Sequence, residues 1–409
     1  MGIKTDKGIF HFVWYVKDST QVLTSGNSCS VILINLAKMK LKNLNFLLWF
    51  YIAVTVIASI HKYFIGRATN YLTFSTSFWN LVNKIDLYYP TTTHWDYKYS
   101  PTFSLLFAPL AILPDWLGGI LWNLINIVVF YFAVTKLELD RKKKLFLLWF
   151  LFFELLTSLQ NFQSNILLCG LFILTIVNLE KGRNFRAAFF AVLPFFIKIF
   201  GSAMILIFLF YPKRTRSLLY GIFWFATLLI LPLAVVSPEW LIQLYKSWFN
   251  IMSSDFSTSM GYSVMTVIGH FTEVNKSYVQ MIGTGLLLMP AIFCFKKFKD
   301  PTFRMTFTAS IMVWMVIFNH KAESPTFIIA VVGVCLWYLF KEPDHIDKVI
   351  LLLVFVFTTL SYTDLLSKIL VRFADLPTIK VLPCIIAWTK IQLDLFGLDT
   401  KYKCPFARR

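Results

Sequence analysis

The stretch NFLLWFYIAVTVIASIHKY, residues 45–63, decides the class of fold to which this chain belongs. A helix that crosses a membrane needs roughly 20 mainly apolar residues, and this stretch has that length and very little charge. It follows Lys38, Lys40 and Lys42, and basic residues flank membrane spans mainly on the cytoplasmic side. The stretch therefore predicts a membrane-spanning helix whose first residues face the cytoplasm.

The composition extends this prediction to most of the chain. Of its 409 residues, 57% are hydrophobic and 15% are charged, whereas soluble domains carry about 25% charged residues. Apolar blocks recur along the chain, which favours one polytopic membrane domain over the two or three soluble domains that length alone would suggest. The net charge of +18 lies in short clusters between these blocks. That placement indicates cytoplasmic loops rather than a nucleic-acid-binding surface.

The basic clusters set the predicted topology, because an even number of crossings fits between neighbouring clusters. The clusters lie at 141–144, 181–186, 213–216, 296–304 and 341–348, and in the tail. We predict an all-α polytopic helical bundle with about 11–12 transmembrane segments and both termini inside. The predicted regions are a cytoplasmic lead-in (1–42), a transmembrane domain (43–400) with outer loops at 65–100 and 237–278, and a basic cytoplasmic tail (401–409).

Three stretches depart from this regular threading. Residues 187–211 contain Pro194, Lys198 and Gly201, which favours two half-helices over one full span, because breaks at membrane depth occur inside protein or beside a cavity. Residues 101–113 are too short to cross and predict a short helix that dips into the outer leaflet. Residues 1–37 carry no signal-peptide pattern. Two interpretations of them stay open, a disordered lead-in and an over-extended start before Met39.

Unusual polar side chains collect on the predicted outer side of the membrane. Ionisable groups at membrane depth are costly and usually mark a site. The candidate site residues are Asp86, Tyr88, Tyr89, Asp96, Tyr97, Tyr99, Gln163, Asn165, Lys198, His320, Lys321 and Glu323. Structural alternatives stay open: a helix cap for the aspartate, an interfacial belt for the tyrosines, and helix-joining hydrogen bonds for the amides.

One carboxylate with several cations suits the attack of a hydroxyl group on a phosphate-activated carbon. Asp86 would accept the proton of the acceptor hydroxyl as a general base. Lys198, His320 and Lys321 would stabilise the departing phosphate. Since no nucleotide pool exists outside the cytoplasm, the predicted donor is a lipid-linked phosphosugar. The chain has no P-loop, GxGxxG or HExxH motif, which argues against an ATPase, a dinucleotide enzyme or a zinc protease. Its six scattered cysteines predict buried thiols rather than disulfides or a zinc site.

The order of several short motifs resembles the polytopic glycosyltransferases of family 87, in the GT-C superfamily. The motifs are DLYY at 86–89, YKYSP at 97–101, APLAILP at 108–114, WNLIN at 122–126, NFQSN at 161–165 and IK at 197–198. The resemblance covers about residues 45–340 and implies a general base at Asp86, a phosphate-binding histidine at His320 and a phosphate or structural role for Lys198. One departure is Phe162, since the relatives often have glycine before the glutamine.

The resemblance also implies the reaction and its partners. It predicts transfer of a hexose, with mannose as the expected sugar, from a polyprenyl-phosphate donor to a glycan or glycolipid acceptor. Inversion and independence from metals and cofactors are implied too. The tyrosines, Asp96, Gln163, Asn165 and Glu323 are the expected substrate-binding residues. We expect a multi-pass plasma (inner) membrane protein with an extracytoplasmic site that contacts membrane lipid and no nucleic acid. A secondary transporter or flippase, or a non-catalytic scaffold, is the alternative.

Overall fold

The structure is a computed structural model that describes residues 43–88, 97–211, 214–258, 260–361, 363, 366–372 and 375–397, with 255–258 described by their backbone alone. The predicted lead-in at 1–42, the basic tail at 401–409, and two candidate residues, Tyr89 and Asp96, lie outside the described residues. Within the described ranges the chain is helical and contains no β-strand, which confirms the predicted all-α class.

The helices follow one another with short connections. The α-helices in the described part are Leu44–Phe64, Thr69–Val82, Pro101–Leu106, Ala108–Ala111, Asp115–Lys136, Arg141–Gln160, Asn165–Glu180, Asn184–Ile197, Arg214–Ile230, Pro238–Thr258, Val264–Gly269, Lys276–Phe293, Pro301–Ile317, Phe327–Leu339, His345–Leu353, Ser367–Leu370 and Leu376–Phe396. The 3₁₀ segments there are Ile199–Leu209, Leu231–Ala234, Phe295–Lys299 and Ser324–Thr326, and Val354–Thr359 is a π-helix.

Three described helices are long and apolar enough to cross a membrane, namely Leu44–Phe64, Asp115–Lys136 and Arg214–Ala234. The first of them confirms the helix predicted over 45–63. Other apolar helices are shorter than a full span, or they carry charged residues, as Arg141–Gln160 does with four basic residues in its first turn and Glu154 inside. The chain is therefore a helical membrane protein, and the predicted count of 11–12 crossings stays a prediction.

Two helices, Pro301–Ile317 and Phe327–Leu339, pack along each other at the centre of the fold and are buried on almost every side. Their close approach requires Gly333, because a Cβ atom there would lie 2.9 Å from the Ala309 carbonyl oxygen. Burial on all sides explains why the sequence of Phe327–Leu339 is apolar throughout rather than on one face.

Two details of the predicted topology differ in the structure. The basic cluster at 141–144 is not a loop but the first turn of a helix, because Asp140 caps it by accepting a hydrogen bond from the Lys143 backbone N–H at 2.9 Å. The predicted outer loops also contain helices, Thr69–Val82 in the first and Pro238–Thr258 in the later one. Three cysteines, Cys169, Cys335 and Cys384, are buried free thiols, as predicted.

Charged residues that the sequence analysis passed over form buried ion pairs. Lys380 Nζ lies 2.7 Å from Glu154 Oε1, and both side chains are at most 1% exposed. Lys341 Nζ lies 2.7 Å from Asp347 Oδ2 and 2.6 Å from Asp394 Oδ2. Because an unpaired buried charge is very costly, each pairing explains how these residues are tolerated inside an apolar bundle. Ionisable groups are thus not confined to the candidate site.

Candidate functional site

A cavity of about 930 Å³ opens among several helices and brings many of the candidate residues together. Its polar lining comprises Thr69, Asn70, Lys98, Tyr99, Asn161, Gln163, Lys198, Ser202, Gln280, Thr284, Asn319, His320, Lys321, Glu323 and Thr326. Its apolar lining comprises Ile199, Phe200, Ala203, Leu206, Met252, Trp314, Met315 and Phe318. The cavity therefore has the mixed character of a site for an amphiphilic ligand.

Lys198 reaches this cavity from the break in an interrupted helix pair. The helix Asn184–Ile197 ends at this residue, whose backbone is extended, and the 3₁₀ segment Ile199–Leu209 begins immediately after it. Gly201 lets the two parts approach, because a Cβ atom there would lie 2.7 Å from the Pro194 backbone. The predicted interruption is thus confirmed, and it places a lysine side chain where a continuous helix would have buried it against neighbours.

The Lys198 ammonium group is held by two neutral amides. Its Nζ donates hydrogen bonds of 2.9 Å to Gln163 Oε1 and to Asn165 Oδ1. The aromatic rings of Tyr99 and Phe200 lie 5.9 and 5.8 Å from the same Nζ, a cation–π distance. Among the described residues no carboxylate forms an ion pair with Lys198, so its positive charge is positioned by neutral groups and is not cancelled at contact.

The turn that carries both amides is fixed from below by the run WNLIN at 122–126. Trp122 Nε1 donates to the Phe162 carbonyl oxygen at 2.9 Å, and Asn126 Oδ1 accepts from the Leu167 N–H at 3.0 Å. Phe162 itself has φ 51°, a conformation that favours glycine. This explains why relatives with glycine before the glutamine can form the same turn, and here a buried phenylalanine adopts it under tertiary constraint.

A second carboxylate in reach of this network is Glu323, whose side chain is exposed toward the cavity. Gln163 Nε2 donates to Glu323 Oε2 at 3.2 Å, while Gln163 Oε1 accepts from Lys198. The glutamine therefore stands between an acid and a cation and orients both. Asn165 is buried and is fixed by donating from Nδ2 to the Pro325 carbonyl oxygen at 2.9 Å.

His320 and Lys321 lie on a turn that is clamped against the segment around Gly261. The Tyr262 N–H donates to the Ala322 carbonyl oxygen at 2.7 Å. Gly261 has φ 49°, and a Cβ atom there would lie 2.7 Å from the His320 carbonyl oxygen. His320 Nδ1 is 3.5 Å from Gln280 Nε2, and both residues line the cavity. The clamp fixes two further basic side chains at the cavity opposite no acidic residue other than Glu323 among the described lining.

Asp86 occupies a different position from the cations. It is half-buried, with Oδ1 accepting from the Tyr88 N–H at 2.9 Å and Oδ2 accepting from Ser247 Oγ at 2.8 Å. It is not among the described residues that line the cavity. Its connection to the cavity runs through Tyr88, whose hydroxyl donates to the carbonyl oxygen of the cavity residue Tyr99 at 2.8 Å. The local hydrogen bonds hold the carboxylate in one orientation.

The described tyrosines of the first outer loop form a packed aromatic group. The ring centroids of Tyr88 and Tyr97 are 5.8 Å apart, and those of Tyr97 and Tyr99 are 5.6 Å apart. Burial raises the pKa of each of these three phenols, which keeps them neutral hydrogen-bond donors. Tyr97 is 5% exposed and donates to the Ser100 carbonyl oxygen at 2.9 Å. Of the three, Tyr99 lines the cavity.

The structure thus brings six candidate residues to one cavity: Tyr99, Gln163, Lys198, His320, Lys321 and Glu323. It places Asn165 behind Lys198, and Asp86, Tyr88 and Tyr97 beside the cavity rather than in its lining. The sequence analysis missed Lys98, which also lines the cavity. Its position between two of the candidate tyrosines was the available signal. Three lysines and a histidine against one carboxylate give this cavity the charge needed to hold an anionic group.

Comparison with known proteins agrees with this chemistry. The sequence model described as glycosyltransferase family 87 matches residues 97–362, which is more than half of the chain. The chain therefore belongs to glycosyltransferase family 87, and it is a glycosyltransferase. Asp86 and Tyr88 precede the matched residues, whereas all six cavity residues fall within them. A search of curated proteins finds no match.

Proposed function

We propose that this family 87 enzyme transfers a hexose, with mannose as the expected sugar, from a polyprenyl-phosphate donor to a glycan or glycolipid acceptor. The single observation that carries the proposal is the Lys198 ammonium group, which faces a cavity of about 930 Å³ and is held by two neutral amides. An uncancelled cation next to a cavity favours an anionic ligand. A donor phosphate supplies that anion.

The apolar half of the cavity supports a lipid-linked donor over a soluble one. Phe200, Leu206, Trp314 and Phe318 line the side away from the amide network. A polyprenyl chain would bury apolar surface there while its phosphate contacts Lys198, His320 and Lys321. A soluble sugar phosphate would leave this apolar surface without a partner, and burial of apolar area is the main favourable term in binding such ligands.

The proposed reaction is a single displacement with inversion at the anomeric carbon. Asp86 takes the proton of the acceptor hydroxyl, whose oxygen forms the new bond to the anomeric carbon. The bond from that carbon to the phosphate oxygen breaks, and the polyprenyl phosphate leaves with the electron pair. Lys198, His320 and Lys321 stabilise the negative charge that develops on this leaving group. No metal or cofactor has a role in this proposal.

The choice of Asp86 as the base is tested against Glu323, because Glu323 is the carboxylate in the described cavity lining. We expect purified Asp86→Asn protein to bind donor lipid normally and to lose transfer by at least about 10²-fold, the scale of general-base catalysis. The matched Glu323→Gln variant keeps the hydrogen bond from Gln163 to a side-chain oxygen and should retain most of the rate. The opposite pattern would assign the base to Glu323 and contradict our assignment.

We further propose a multi-pass protein of the plasma (inner) membrane with about 11–12 crossings and the cavity open to the extracytoplasmic side. The positive-inside distribution of the basic clusters supports this orientation. Single cysteines at Gln163 and His320 should react with an impermeant thiol reagent added outside intact cells. Cysteines at Lys142 and Arg214 should react only after permeabilisation. The reversed pattern would contradict the orientation and leave the family assignment unaffected.

A further inference from the structure

A second cavity, of about 440 Å³, lies where two helices begin side by side. Its described lining consists of Gly182, Arg183, Asn184, Phe185, Arg186, Arg216 and Tyr220. The helix Asn184–Ile197 begins at this cavity, and Arg214–Ile230 begins next to it. The two helix starts are joined by a buried hydrogen bond of 2.6 Å from Asn184 Nδ2 to Ser217 Oγ. The cavity is therefore a fixed feature of the fold.

Three arginines converge on this cavity without visible use for their charge. Arg183, Arg186 and Arg216 are all exposed, and no described residue forms a hydrogen bond or ion pair with any of their guanidinium groups. No acidic residue is present in the described lining. Three like charges near one another repel, and two helix starts add further positive potential. Such an arrangement is stabilised when an anion occupies it.

The surroundings favour a membrane lipid as the source of that anion. The candidate membrane span Arg214–Ala234 starts at the cavity and is only 22% buried. Leu219, Ile222 and Phe223 on this span are 62%, 66% and 52% exposed, so an apolar face leads away from the arginines. The ring of Phe185 packs on Tyr220 at 5.3 Å and forms part of the cavity wall. A charged pocket above an exposed apolar helix face matches a phospholipid headgroup above its acyl chains.

We propose that this cavity binds the phosphodiester headgroup of an anionic membrane phospholipid. The three guanidinium groups donate paired hydrogen bonds to the phosphate oxygens, a geometry for which arginine is suited. The acyl chains lie along the exposed side of Arg214–Ala234. Because the lining of this cavity shares no residue with the lining of the larger one, the lipid is a structural ligand and not the sugar donor.

The test measures phosphatidylglycerol retained by the full-length, detergent-solubilised protein in native mass spectrometry. The unmodified protein should retain phosphatidylglycerol in preference to phosphatidylcholine. The triple variant Arg183→Gln/Arg186→Gln/Arg216→Gln should bind it at least about tenfold more weakly, given the contribution of each basic group to anionic-lipid binding. The control Arg141→Gln/Lys142→Gln/Lys296→Gln loses the same charge at exposed residues outside the cavity and should bind as the unmodified protein does.

Two further arms keep the proposal falsifiable. If the glutamine variant does not fold, Arg183→Lys/Arg186→Lys/Arg216→Lys keeps the charge and should lower the affinity through loss of paired hydrogen bonds. Inorganic phosphate, added as a competitor, should displace little lipid because it lacks the acyl chains. Equal loss of binding in the control, no preference for phosphatidylglycerol, or complete displacement by inorganic phosphate would each overturn the lipid assignment.

Discussion

Two lysines inside this bundle, Lys380 and Lys198, have opposite electrostatic environments. Lys380 is 1% exposed, and its Nζ lies 2.7 Å from the Glu154 carboxylate, which is itself fully buried. Lys198 is half-buried beside the large cavity, and its Nζ donates to two neutral amide oxygens at 2.9 Å. The first lysine is neutralised within the fold, and the second keeps its charge available to a ligand.

The difference shows how burial alone fails to separate a structural charge from a functional one. Both residues interrupt apolar sequence, and a buried charge requires a partner in either case. What separates them is the partner: a carboxylate completes an ion pair, whereas amide oxygens orient the ammonium group and leave its charge uncancelled. The predictions below exchange or remove these partners.

The largest expected effect on folding comes from Lys380→Met. Without its lysine, the Glu154 carboxylate is left buried and unpaired, which we expect to lower the free energy of unfolding by about 3–5 kcal/mol. Thermal unfolding of the protein in detergent, followed by tryptophan fluorescence, measures the loss. The double variant Lys380→Met/Glu154→Gln should recover most of it, since the uncompensated charge is then removed. A single variant as stable as the unmodified protein would contradict the structural role of the pair.

Lys198→Met is expected to have the reverse profile. Its stability should fall by no more than about 1.5 kcal/mol, because the two amide oxygens lose one donor each next to an open cavity that admits water. Transfer from a polyprenyl-phosphate sugar should fall by about 10²-fold, as when one transition-state donor is removed. Initial rates with the purified enzyme check this. Normal rates in a folded variant would show that Lys198 is structural, like Lys380.

Asn165→Asp makes the environment of Lys198 resemble that of Lys380. The new carboxylate would stand at the position of an oxygen 2.9 Å from Nζ and would cancel its charge. We expect roughly tenfold weaker donor use from that loss of positive potential. Asn165→Leu serves as the control, because it removes the hydrogen bond without adding a charge. The account requires the aspartate substitution to weaken donor use more than the leucine substitution does.

His320→Ala is expected to give the smallest change. The histidine shares the cavity with Lys198, Lys321 and Lys98, which remain to hold the phosphate. We expect the KM for the donor to rise by several-fold, and the KM for the acceptor to stay nearly unchanged. Steady-state kinetics with each substrate varied in turn measures both. A rise confined to the acceptor would place His320 on the wrong side of the site.

Local sequence patterns were sufficient to predict the elements that depend on local physics. Hydropathy predicted the helix Leu44–Phe64 almost to its ends, and Pro194 with Gly201 predicted the break at Lys198. The limit is visible at 141–144, where four basic residues read as a loop but form a helix turn. Charge predicts the side of the membrane, while the cap at Asp140 decides where the helix begins.

The candidate site was predictable in part, for a related reason. Clustering of polar groups on one predicted face identified Lys198, Gln163, Glu323 and His320, which line one cavity in the structure. The pairing of Lys380 with Glu154 could not be predicted, because it joins residues far apart in the chain through helix packing. The position of Asp86 beside the lining depends likewise on contacts with Tyr88 and Ser247, which no spacing rule gives.

The central claim is that the uncancelled charge of Lys198 holds the phosphate of the donor. Its most direct test is titration of polyprenyl phosphate, the proposed leaving group, into the unmodified enzyme, Lys198→Met and Lys380→Met/Glu154→Gln. Binding should weaken at least about tenfold in the first variant, as for loss of a charge-assisted hydrogen bond, and should be retained in the second. Equal affinity of Lys198→Met and the unmodified enzyme for polyprenyl phosphate would contradict the account.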